Sequence, residues 1–189
     1  MTVRFADGLS HDGTTTDRVT EGVTMHPPEP ERAGPGQESA WDYPRPPRLE
    51  PTSSLVEVVL GGVVVARSTH ALRVLETSHP PTYYIPVADF VEGSLVPAGG
   101  SSWCEWKGTA RYVDVHGGGK VAERAGWHYP EPTAAFEQLK DHVAVYPGAV
   151  DRCLVDGEVV VPQPGGFYGG WVTSRVVGPF KGGPGSESW

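Results

Sequence analysis

The sequence is poor in the residues that staple a small domain together. Its 189 residues hold two cysteines, Cys104 and Cys153. Two are too few for a disulfide framework, and neither stands in the Cys-x-x-Cys pairing that supplies a structural zinc site. A catalytic triplet of His79, Cys104 and His128 is the one metal arrangement left, and nothing in the spacing selects it, so no metal is expected. Positive charge is also scarce: fifteen Lys and Arg stand against twenty-three Asp and Glu, a formal charge of −8, with no basic cluster to interrupt the excess. Such a field repels phosphate backbones and anionic lipid, which argues against nucleic-acid and membrane partners. No apolar stretch approaches the roughly 20 residues that cross a bilayer, and the chain opens without a cationic, apolar leader. A soluble protein of a reducing, cytoplasmic compartment is expected. No glycine-rich phosphate loop lies between a strand and a helix, and no internal repeat is visible, so the sequence implies no cofactor.

Proline and glycine are plentiful instead, nineteen and twenty-five, and they mark out the organisation. Residues 1–38 carry Thr14-Thr15-Thr16, Pro27-Pro28-Glu29-Pro30 and Gly34-Pro35-Gly36 with little apolar material to offset the entropy of ordering, and read as a disordered leader. A single domain spans residues 39–185. Its first part, 39–54, joins Trp41 and Tyr43 to the stiff run Pro44-Arg45-Pro46-Pro47, an arm expected to wrap onto the body; a free Pro-rich ligand for an SH3-like partner is the adaptor alternative. Residues 55–60 and 63–68 form a hairpin over Gly61-Gly62. Further strands are read at 71–76, 103–106, 110–115, 120–127, 142–146, 150–156 and 158–161. After Thr133, the residues Phe136, Leu139 and Val143 recur at helical spacing, which predicts one short α-helix. Residues 162–185 are too aromatic for an idle tail and are expected to pack over the domain, with 186–189 frayed. The fold class is mainly β, with curved antiparallel sheets and one short α-helix.

Chemistry concentrates between Leu75 and Pro86. There Glu76, Ser78, His79, Tyr83 and Tyr84 surround a Pro80-Pro81 corner at the end of an apolar strand, where desolvation shifts pKa values. Lys107 follows Cys104 and Trp106 at a strand end. One pocket collecting these groups supplies an acid, a base and a cation, with Glu76 as base, His79 or Tyr83 as proton partner and Lys107 as electrostatic clamp. The competing reading is a structural brace, with Glu76 paired to Lys107 or Arg111 across strands. Cys104 has a nucleophile's neighbours in Lys107 and His79, although Trp103 and Trp106 argue for a packed thiol. Aromatic residues from separate segments, Tyr83, Tyr84, Trp106, Trp127, Tyr129, Tyr168 and Trp171, offer a cage for a flat or cationic ligand. An acid–base enzyme acting on a small molecule leads, a non-catalytic reader of a small ligand or peptide end follows, and the oligomeric state is left open.

Four separated segments carry a family resemblance: Trp41 to Pro47, Leu75 to Tyr84, Cys104 to Ala110, and Tyr146-Pro147-Gly148 through Gln163 to Trp171. In this order they resemble the domain of unknown function 427 family of bacteria and fungi, from about Ser39 to the C-terminus. The resemblance implies a small β domain of tent-like topology, two antiparallel sheets meeting at an angle. Relatives of that topology hold zinc through paired Cys-x-x-Cys motifs, which this chain lacks. The resemblance supplies no catalytic residues.

Overall fold

Period-two alternation of apolar side chains sets the strands, and glycine sets where they turn. The computed structural model describes residues 28–186 and 188–189, so most of the expected leader, residues 1–27, lies outside the described residues. In chain order the strands are β1 (Glu38–Ser39), β2 (Arg48–Pro51), β3 (Val56–Leu60), β4 (Val63–Ser68), β5 (Leu72–Leu75), β6 (Thr82–Pro86), β7 (Leu95–Cys104), β8 (Gly108–Gly117), β9 (Lys120–His128), β10 (His142–Val145), β11 (Arg152–Val155), β12 (Glu158–Val159), β13 (Val161–Pro162), β14 (Trp171–Val172) and β15 (Val176–Val177). Seven form one antiparallel sheet in the order β2-β5-β6-β10-β9-β8-β7. Four form a second in the order β12-β11-β3-β4. Short pairs complete the set, β13 with β14 antiparallel and β1 with β15 parallel.

The main core lies between the two sheets. Val56, Val58, Val65, Ile85, Val115, Val143 and Val145 are all but fully buried there, each contributing on the order of 1.5–3 kcal/mol by leaving water. The sheets also touch where two hairpin turns meet. A Cβ at Gly61 would come within 2.3 Å of the Gly117 carbonyl oxygen, a contact only glycine permits. The opposite face of the seven-stranded sheet carries a second cluster. Register aligns Leu72 with Tyr84, Tyr84 with Ala144, Ala144 with Trp127, and Trp127 with Tyr112, a row that crosses five strands on one face. This row is the floor of the site described below.

Several boundaries differ from the sequence reading. The strand read at 103–106 is the end of a longer one, β7, which starts at Leu95 and stops at Cys104 because Glu105, Trp106 and Lys107 make the turn into β8, and the segment Thr82–Pro86 after the proline corner is strand β6. The helical segment after Thr133 is present at Ala134–Leu139, but as 3-10 turns kinked at Phe136 and not as an α-helix. Val143 belongs to β10, and the Thr133 hydroxyl donates to the Trp106 carbonyl at 2.6 Å instead of capping the turn. The folded body starts before residue 39. The Glu31 amide bonds the Gly178 carbonyl, and Glu38 pairs in β1 while its carboxylate, with that of Glu50, holds the Arg73 guanidinium. The end of the chain is not wholly frayed either, since Ser186 is buried with its hydroxyl accepting from the Gly182 amide at 2.8 Å, and the Trp189 ring lies 5.9 Å from that of Trp41.

The Pro-rich arm docks on the body. Ala40 and Tyr43 pack on Leu75, the Trp41 indole donates to the Pro179 carbonyl at 2.8 Å, and the Tyr43 hydroxyl donates to Glu38 at 2.6 Å. Burial and the Glu38 carboxylate push the Tyr43 phenol far up, so it stays a donor. Pro47 is buried, which removes part of the surface an adaptor motif would present.

Candidate functional site

A cleft of about 520 Å³ lies over the aromatic row, between the β7–β8 turn, the corner from Glu76 to Pro80 and the glycine-rich loop before β14. The corner is a tight turn closed by the His79 amide on the Glu76 carbonyl at 3.0 Å, with Ser78 at φ 66, a left-handed position. It is gripped from both ends of the chain. The Ser78 amide donates to the Ala40 carbonyl at 2.9 Å, the Thr77 hydroxyl to the Tyr43 carbonyl at 2.5 Å, and the Lys181 amide to the Ser78 carbonyl at 2.8 Å.

Arg45 completes the grip. Its Nε lies 3.3 Å from the Glu76 carboxylate, and its Nη2 donates to the Thr77 carbonyl at 3.0 Å. The same carbonyl takes His79 Nδ1 at 2.9 Å. A carbonyl can only accept, so Nδ1 carries the proton, and in the neutral ring Nε2 keeps its lone pair. The imidazole stands edge-on to Tyr168, with ring centroids 4.7 Å apart. Burial lowers the His79 pKa; the Thr77 hydrogen bond and Glu76 oppose the shift, and Arg45 and Lys181 add to it.

The β7–β8 turn forms the facing wall. Cys104 opposes Gly108 across a three-residue loop of Glu105, Trp106 and Lys107, and Thr133 pins that loop through the Lys107 and Trp106 carbonyls. Lys107 makes no ion pair among the described residues. Its Nζ lies 5.9 Å from the Tyr129 ring centroid and 6.0 Å from that of Phe136, at the limit of cation–π reach. In the floor, the Trp127 indole donates to the Tyr84 hydroxyl at 3.2 Å, and the Tyr129 ring lies beside that of Tyr84 with centroids 6.3 Å apart. Burial raises the pKa of both phenols, which therefore remain neutral donors.

The cleft gathers Glu76, His79, Lys107, Tyr84, Cys104, Trp106, Trp127, Tyr129 and Tyr168 from the residues singled out in the sequence. Three others lie elsewhere. Tyr83 faces the main core, stacked on Trp171 at 5.1 Å, because consecutive strand residues point to opposite faces and Tyr84 takes the cleft side. Trp171 is fully buried there, its indole donating to the Val145 carbonyl at 3.0 Å. Ser78 is wholly buried behind the corner, and its hydroxyl finds no partner among the described residues. Glu76 meets Arg45, neither Lys107 nor Arg111, so the carboxylate expected to act as base is held in an ion pair. Among the described residues no group of three or more His, Cys, Asp or Glu could hold a metal ion.

Sequence reasoning missed Arg45, Tyr112, Tyr146, Gln163, Phe167 and Lys181, which also line the cleft. Strand alternation, once Trp127 faces inward, points to its register partner Tyr112; no local signal marks Arg45, Gln163 or Lys181, which arrive by long-range packing. Nine aromatic side chains line the cleft, half of the chain's Trp, Tyr and Phe. Two of them, Trp103 and Phe167, are 74% and 77% exposed and are the aromatic members among the exposed large apolar residues described. Three cations, Arg45, Lys107 and Lys181, and two carboxylates, Glu76 and Glu105, line the cleft, a balance of +1 among its lining residues in a chain of −8, with Arg45 paired to Glu76 and the Lys181 ammonium donating to the Trp189 main-chain oxygen at 2.5 Å.

The family model for the domain of unknown function 427 matches residues 48–156. The chain belongs to this family. No curated protein matches it. In this member of the 427 family the matched span runs from β2 to the turn after β11, and so supplies the aromatic floor, the corner and the β7–β8 turn. The flanks of the match add Arg45, the Gln163–Gly170 loop and Lys181, and close the cleft.

Proposed function

We propose that the cleft binds a small flat molecule bearing an anionic group, and that His79 is the proton acceptor of a general acid–base reaction on it. One observation carries this reading: His79, its Nδ1 proton committed to the Thr77 carbonyl, lines an aromatic cleft with Nε2 left as a base. A lowered pKa keeps that base neutral at pH 7. Support for the anionic group comes from Lys107, a cation without a carboxylate partner among the described residues, and from the positive balance of the groups lining the cleft within an acidic chain. Arg45 is a positioning residue on this reading, because it fixes the carbonyl that orients the imidazole. The domain is taken to work without zinc in a reducing compartment, as its lack of Cys-x-x-Cys pairs and its two free cysteines suit.

The test is a thermal-shift screen of aromatic and heterocyclic acids, followed by a turnover assay on each hit and by His79→Gln. His79→Gln should bind a hit within a fewfold of the parent and lose on the order of 10²–10⁴ in turnover. A hit that binds both proteins and is turned over by neither makes the domain a reader. Equal turnover by both removes His79 from the chemistry.

A further inference from the structure

A second hollow of about 350 Å³ adjoins the cleft and shares Tyr146, Gln163 and Tyr168 with it. Its remaining walls are Pro147, Gly148, Ala149, Pro162 and Gly166, so no charged group among the described residues lines it. Its one side-chain amide is already committed. Gln163 is 3% exposed, its Oε1 accepts from the Gly170 amide at 3.2 Å, and its Nε2 donates to the Lys181 carbonyl at 2.7 Å. Whatever occupies this hollow meets mainly apolar surface and two tyrosine side chains, in contrast to the cleft beside it with its cations, carboxylates and imidazole.

From this pairing we infer that the substrate is a two-part molecule: a flat anionic ring that occupies the cleft and a short apolar chain attached to it that fills the adjoining hollow. The inference rests on the proposed function and narrows its substrate class to ring acids carrying an alkyl or similar hydrocarbon tail. The occupant is the tail of the cleft's own ligand because the two spaces have three side chains in common. Of the three, Tyr168 stands on a loop with Gly165 and Gly166 at positive φ before it and Gly169, whose backbone is seated on the Trp127 ring, after it.

Calorimetric titration with benzoate and with 4-ethyl-, 4-butyl- and 4-hexylbenzoate separates the two parts. Kd should fall about fourfold for each methylene that enters the hollow, then level off when it is full. Gly148→Leu fills the hollow from its wall, since a Cβ at Gly148 would meet Pro162 at an ordinary 3.5 Å. This variant should bind benzoate like the parent and lose the gain with chain length; Ala149→Leu serves the same purpose if the first variant folds poorly. Benzoate binding with a Kd indifferent to the chain, or a gain that survives both variants, overturns the tail site and leaves the cleft reading standing. Failure of the whole series to bind overturns both.

Discussion

His79 is the residue on which chemistry and stability meet. Burial lowers its pKa in the folded protein below the ordinary 6.5, so between the two values the unfolded chain holds the proton that the folded chain does not. The stability tied to His79 is therefore complete above about pH 6.5 and is lost as pH falls towards its folded pKa. His128 behaves in the same sense, lowered by burial and by Arg111. The melting temperature of the parent should drop on acidification from pH 7 to 5, and that of His79→Gln should drop less, keeping the share owed to His128. Superimposable pH dependences would mean that His79 is as accessible to protons in the folded as in the unfolded chain. The pair Tyr83 and Tyr84 shows what a residue-level reading of sequence conveys. Both are visible as phenols beside a proline corner, yet recognising 82–86 as strand β6 is what sends one to the core and the other to the cleft.

The glycine-rich loop before β14 lies against the floor as backbone, without side chains between. A Cβ at Gly169 would sit 2.1 Å from the Trp127 ring, so Gly169→Ala must push the loop or the indole aside. The expected cost is about 1–3 kcal/mol, read as a lower midpoint in urea at unchanged slope, together with weaker binding of any cleft ligand. A variant as stable as the parent would show that the loop is not seated on Trp127. Among the elements, the β3–β4 and β8–β9 hairpins with their glycine turns, β5, β10, β11 and β12 were legible in the sequence because alternation and turn chemistry are local, whereas β6 was hidden in a proline corner and most of β7 in the polar, glycine-bearing run before Trp103. The 3-10 segment was legible in place but not in kind: Phe136 and Leu139 are buried as helical spacing predicts, while β10 takes Val143 and leaves six residues for the turns. The partner of Glu76 was not legible. Arg45 reaches it only because the arm doubles back over Leu75, a contact across thirty-one positions that no local pattern encodes.

Across the whole molecule, segments distant in sequence converge on the corner between β5 and β6. The arm holds it through Ala40, Tyr43 and Arg45, and the C-terminal wrap through Lys181, while β1 and β15 pair with each other beyond it. Such bracing holds the Thr77 carbonyl, and with it the imidazole, to one geometry, which a base needs and a surface loop lacks. The six tryptophans report on this arrangement individually. Trp103, Trp106 and Trp127 line the cleft; Trp171 is buried in the main core, and Trp41 and Trp189 pack together at the arm. Titration with 2-naphthoate, followed through the indole N–H signals in nitrogen-15 NMR spectra assigned by single Trp→Phe variants, is the most direct measurement. Saturable shifts of the Trp103, Trp106 and Trp127 signals are expected, with those of Trp41, Trp171 and Trp189 unmoved; shifts confined to the second group, or no shift at all, would contradict an aromatic cleft that binds a flat anion.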